Sequence, residues 1–202
     1  MNQQNRNPEN TSDSSQSGPV KLKSSQSASL DQDQEPPSPG FSILISDEQQ
    51  TLRVDESRLR ACVQSVLGDS CYQACTISIA IVDDPTIHDI NRQFLKHDYP
   101  TDVISFVLED DGSKLEGELV VSSDTAIQNA QEYGWPATDE LLLYVLHGCL
   151  HLVGYRDKEP ADQEQMHRAE LMHLRKLGVM LPKDASRWLP LPSENCGKGS
   201  PS

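Results

Sequence analysis

The chain has no apolar run long enough to cross a membrane. Its longest, Leu141 to Tyr155, falls short of the roughly 20 residues a span needs and carries two histidines. It also lacks the apolar core of a signal peptide, opening instead as Met1-Asn2-Gln3-Gln4-Asn5-Arg6. Export is therefore not expected, Asn10-Thr11-Ser12 is not read as a glycosylation site, and a cytoplasmic location follows. There is no Cys-x-x-Cys pair, and the five cysteines (62, 71, 75, 149 and 196) are odd in number and scattered. A disulfide framework, a zinc ribbon and a redox motif are all excluded, and the thiols read as reduced. Basic residues are scarce, 17 against 31 acidic ones, for a net charge of −14. That deficit opposes any nonspecific grip on phosphate backbones, so an RNA partner would need a locally basic site. No membrane partner and no dinucleotide cofactor are expected.

What is present suits one soluble domain with spare length: 36% hydrophobic and 24% charged residues in 202. Residues 1–40 are rich in Ser, Gln, Asn, Asp and Pro and nearly free of aliphatic side chains. They cannot bury enough apolar surface to offset the entropy of ordering, so they read as a disordered tail. Residues 186–202 read as a flexible tail in which Trp188 and Leu189 could dock locally. The folded domain is expected over 41–185. Within it, strands are expected at 41–45, 76–82, 103–108 and 118–122. Helices are expected from Glu56 to Leu67, from an Asp84 cap with Pro85 to about Lys96, from Ser123 to Gly134, from Thr138 to Val153, and from Pro160 to Leu177. The second helix is expected to turn Ile87, Ile90, Phe94 and Leu95 inward. The order predicts an α+β fold, a small mixed sheet packed by about five helices.

The chemistry concentrates in His147-Gly148-Cys149-Leu150-His151-Leu152-Val153-Gly154-Tyr155-Arg156-Asp157. Residues 147 and 151 lie one helical turn apart, only about 40° around the axis, so both imidazoles leave one face. Gly154 can take the left-handed conformation that ends the helix, and Asp157 can then fold back. Two nitrogens and one oxygen with an open fourth position describe a catalytic zinc site, placed on a helix of the C-terminal half and its following turn. The spacing matches metzincin-type sites, but those place Glu after the first His, where this chain has Gly148. Gly148 cannot serve as a general base, which weakens a peptidase reading.

This segment resembles the H-G-x-L-H-L-x-G-Y-D-H signature of the YbeY family, single-domain metal-dependent endoribonucleases implicated in maturing ribosomal RNA 3′ ends and in ribosome quality control. The likeness extends to Ile90-Asn91 and Phe94, then to His97-Asp98-Tyr99-Pro100-Thr101-Asp102-Val103-Ile104-Ser105-Phe106, which is similar to the family's P-T-D-V-L-S-F strand. It continues in Gly117-Glu118-Leu119-Val120-Val121-Ser122 and in Met166 and Glu170 on the last helix, and runs in order from Phe41 to Gly178. The resemblance implies metal ligands at His147, His151 and Asp157 and one divalent metal, Zn2+. It implies single-strand-directed cleavage by metal-activated water during 16S rRNA 3′-end maturation and late-stage ribosome quality control, with ribosomal RNA and the small ribosomal subunit as partners. Two positions depart from the pattern. Asp157 stands for the usual third histidine, with Arg156 where the family has Asp, and Phe94-Leu95 stands for a Tyr-Arg pair whose arginine is suited to a scissile phosphate.

Arg156 and Asp102 are the weaker catalytic candidates, and Arg92, Lys96 and His97 are further cations near the same strand. Asp102 and Ser105 could equally cap a turn. Met166 and Cys149 read as core, His167 and His173 as surface residues of the last helix, and Glu116 and Glu118 receive no role. Two other functions compete: a ribosome-associated RNA-binding protein with a structural or vestigial metal site, and a zinc peptidase.

Overall fold

The computed structural model describes residues 40–182; the expected tails, Gly40 aside, lie outside the described residues. The strands are β1 (Phe41–Asp47), β2 (Ala74–Val82), β3 (Val103–Asp110) and β4 (Lys114–Ser122). The helices are α1 (Glu56–Gly68), α2 (Asp84–Ile90), α3 (Ser123–Tyr133), α4 (Ala137–Leu152) and α5 (Pro160–Lys176). The strand order is β1-β2-β4-β3, with β1–β2 and β2–β4 parallel and β3–β4 antiparallel. The α+β class and the mixed sheet expected from the sequence are what the structure shows.

The sheet is covered unequally. On one face Ile77, Ile79, Ile81, Leu119 and Val121 pack with α1, α4 and α5 into the main core. On the other face a small cluster of Val82, Ile87, Ile104 and Val120 lies beneath α2. Helix α4 is apolar on nearly every side and runs through the main core, with Leu141, Leu142, Leu146 and Leu150 at most 1% exposed. Two of the three metal-ligand candidates, His147 and His151, therefore sit on a helix fixed along its length.

Three expectations are corrected. The cap of α2 is Asp83, whose side chain accepts from Thr86 N, with Asp84 inside the first turn. Asp84 instead accepts from the Ser122 and Thr125 hydroxyls and ties α2 to α3. Second, α2 passes into a π-helical turn over Asn91–Leu95 and stops at Lys96, which has φ 63°. The extra residue in that turn breaks the 3.6-residue phase, so Phe94 and Leu95 are 59% and 45% exposed rather than inward. Third, His173 is buried beneath α1, bonded through Nδ1 to the Ser65 hydroxyl, and burial lowers its pKa. Met166 and Cys149 are fully buried, as expected. No helix among the described residues is long and apolar enough to cross a membrane.

Candidate metal centre

Helix α4 ends on Gly154, whose φ of 101° is open to glycine at little cost. Gly154 N donates to His151 O and Tyr155 N donates to Leu150 O, the paired bonds of a Schellman cap. The turn brings Asp157 back over the helix and aims the Tyr155 carbonyl at His151. The result joins the three residues singled out from the sequence. His147 Nε2 and His151 Nε2 are 3.0 Å apart, and Asp157 Oδ2 is 3.5 Å from each.

The proton positions explain why these atoms converge. His147 Nδ1 lies 2.7 Å from Glu170 Oε1 on α5, and His151 Nδ1 lies 3.0 Å from the Tyr155 carbonyl. Both acceptors require an N–H on Nδ1, which leaves a lone pair on each neutral Nε2. In the neutral tautomers that these contacts favour, two lone pairs and a carboxylate oxygen face one another, an arrangement that a cation relieves. Bonds of about 2.0 to 2.2 Å at near-tetrahedral angles put ligand atoms roughly 3.3 to 3.6 Å apart, which matches the two 3.5 Å sides of this triangle, while the 3.0 Å between the two Nε2 atoms is about 0.3 Å shorter and would open slightly around an ion. The residues fit a divalent ion. The side chains of His147, His151 and Asp157 are 24%, 25% and 40% exposed, so the fourth side of the site is open to solvent.

Glu170 was noted in the sequence only as a position of resemblance. It is buried, with its side chain 6% exposed, and carries the proton-holding contact that orients His147. Burial acts to lower the His147 pKa, but the Glu170 bond and charge, aided by the charges of Asp102 and Asp157, raise it overall. A proton would compete with a metal for this imidazole, and binding of an ion there would weaken as pH falls through the raised pKa.

Gly148, between the histidines, lies against β3. A Cβ there would come within 2.8 Å of Val103 Cγ2, 2.9 Å of Leu119 Cδ2 and 3.0 Å of Ser105 Oγ, while the Ser105 hydroxyl donates to the Gly148 carbonyl at 3.2 Å. An alanine favours a helix over glycine by about 1 kcal/mol, but overpacking costs about 1–3 kcal/mol. Gly148→Ala is accordingly expected to lower the melting temperature; a rise would show that β3 does not press on α4 as described.

The weaker candidates are placed differently. Asp102 Oδ1 accepts from Val103 N and Thr101 Oγ1, the turn-capping role, although its charge reaches His147. Arg156 is exposed and lines, with Val153, Gly154, Tyr155, Asp162 and Gln165, a cavity of about 240 Å³ beside the ligand turn. Arg92 is paired with Asp89 at 2.6 Å and Lys96 Nζ donates to Gln93 O, so neither is brought to the ligands. His97 is exposed and stacks on Tyr99.

The family model described as endoribonuclease YbeY matches residues 44–178. The endoribonuclease YbeY of Rhodopirellula baltica is 47% identical over 124 residues, 59% of this chain and 64% of its own length. The chain thus spans just under two thirds of that relative. The counterpart from Salinibacter ruber is 33% identical over 159 residues, covering 75% of this chain and 99% of its own. That of Chloroherpeton thalassium is 39% identical over 138 residues, 68% and 96% respectively. A Thermotoga maritima protein solved in solution aligns with TM-score 0.50 at 24% identity over 79% of this chain and 99% of its own, a likeness of fold.

Proposed function

The chain belongs to the YbeY family of endoribonucleases, and from that premise we propose that it is itself a metal-dependent endoribonuclease directed at single-stranded RNA. Its proposed setting is the cytoplasm, in late-stage ribosome quality control and 16S rRNA 3′-end maturation, with ribosomal RNA and the small ribosomal subunit as partners. The observation that carries the reading is the convergence of His147 Nε2, His151 Nε2 and Asp157 Oδ2, whose protons are held elsewhere.

His147, His151 and Asp157 would hold the ion, which we propose to be Zn2+. When bound it supplies Lewis acidity toward a phosphodiester and lowers the pKa of water. The chain's own residues do the rest. Glu170 keeps the proton on His147 Nδ1 and the Tyr155 carbonyl keeps the proton on His151 Nδ1, so both Nε2 atoms stay available. Asp157 adds a hard donor where a histidine is usual, which widens the tolerance toward ions such as Mn2+. Arg156, one residue before the third ligand position, is the cation we propose to bind phosphate oxygens where Leu95 occupies the usual arginine position. Gly148 provides no carboxylate beside the ligands, which disfavours the peptidase reading.

A labelled single-stranded RNA incubated with the full-length chain tests this. Cleavage is expected with zinc supplied, to be lost on chelation and to return when zinc is restored. Undiminished cleavage under chelation would contradict the metal dependence, and binding without cleavage in every metal condition would favour the RNA-binding alternative.

A further inference from the structure

Unusual backbone and exposed rings meet in one short segment, residues 91–99. It holds the π-helical turn over Asn91–Leu95 and the only positive-φ residue other than glycine among the described residues, Lys96. Features of this kind persist where the surrounding structure holds a particular surface in place. The segment is anchored from within: Asn91 is 1% exposed, and its Nδ2 donates to the Tyr99 carbonyl at 2.8 Å. A second tether joins His88 Nε2 to the Asp98 carboxylate at 2.9 Å.

The surface held in place is aromatic. Tyr99 is 55% exposed and lies almost parallel to the imidazole of His97, with 5.4 Å between centroids and 9° between planes. Exposure of this extent leaves ring surface open to solvent, and parallel rings accept a further planar ring. Tyr99 is also close to the chemistry. It precedes Val103 by four residues, at most about 14 Å of chain, and Val103 lies against Gly148 between the two histidines, where an added Cβ would meet its Cγ2 at 2.8 Å.

We propose that Tyr99, backed by His97, is a stacking platform for a base of single-stranded RNA next to the metal centre. The inference rests on the RNA reading above and deepens it by naming how the strand is held. A platform of this type tolerates any base, because each presents a π-face. Stacking alone does not offset the chain's net negative charge; Lys96, exposed in the same segment, supplies a cation for the strand's phosphates. Protein pairing along β3, the sheet edge that follows, is the less suitable alternative: that strand carries a register shift between Val107 and Glu109 and ends in Glu109 and Asp110. Both features blunt an edge against strand addition.

The test measures binding of a labelled twelve-nucleotide 2′-O-methyl RNA, and of an abasic phosphate chain of the same length, to the zinc-supplied full-length protein. Tyr99→Ala leaves the bond from Asn91 in place, because that bond goes to backbone. Wild type is expected to bind the RNA about five- to a hundredfold more tightly than the abasic chain. Tyr99→Ala should lose most of that preference, His97→Ala part of it, and Tyr99→Trp should keep or increase it. Full preference retained in Tyr99→Ala would overturn the platform while leaving the RNA reading intact. No binding of RNA by wild type would overturn both.

Discussion

His151→Ala is expected to reduce cleavage of single-stranded RNA to the rate in buffer while leaving a folded protein. The imidazole donates one of three converging atoms, and without it His147 and Asp157 supply only two, too few to fix an ion against solvent. Folding should survive because the side chain is one quarter exposed and its Nδ1 partner, the Tyr155 carbonyl, borders solvent. The Schellman cap that shapes the turn uses backbone alone. Asp157→Ala is expected to be nearly as damaging, whereas Asp157→His should preserve activity by restoring a nitrogen donor at the same place. A time course of labelled RNA on a gel reads all three. Wild-type rates in His151→Ala would remove the histidine pair from the reaction.

Glu170→Ala is expected to weaken zinc binding about 10- to 100-fold, the usual cost of losing the partner behind a ligating histidine. The carboxylate is buried and 2.7 Å from His147 Nδ1. Its loss frees the imidazole to change tautomer or rotate and removes the charge that makes Nε2 a stronger donor. Glu170→Gln separates these effects. The amide oxygen can still accept the proton, so orientation is kept and charge is lost, and the affinity should fall between those of wild type and Glu170→Ala. Competition against a chromophoric zinc chelator measures each. Equal affinity in all three proteins would show that His147 is oriented by something other than Glu170.

The convergence of His147, His151 and Asp157 was legible because it depends on local geometry. An i, i+4 pair on an apolar helix, a glycine at the helix end and a carboxylate three residues on involve no distant contact. Glu170 lies 23 residues from His147, and the docking of α5 on α4 joins them, so its role was not available from spacing. One signal was present: an acid at 170 shares the buried face of α5 with Met166, Ala169 and Leu174. His173 on the same face was misread as surface for the matching reason, since Ser65 on α1 satisfies it across the fold. Phe94 and Leu95 were misread because apolar residues at helical spacing imply burial only while the helix keeps its phase, and the π turn at Asn91 shifts it. The fold class followed from the order of elements, and the Asp110-Asp111-Gly112-Ser113 turn marks the link between β3 and β4; the strand order β1-β2-β4-β3 did not follow, because the order of elements leaves open which strands pair across the intervening helices.

Metal content per chain, measured by elemental mass spectrometry on the zinc-supplied 202-residue protein beside His151→Ala and Asp157→Ala prepared identically, tests the central claim most directly. Close to one ion per chain in the wild type, with little in His151→Ala and a reduced amount in Asp157→Ala, is the predicted result. A wild-type chain that takes up no metal, or a His151→Ala chain that holds as much as the wild type, would contradict it.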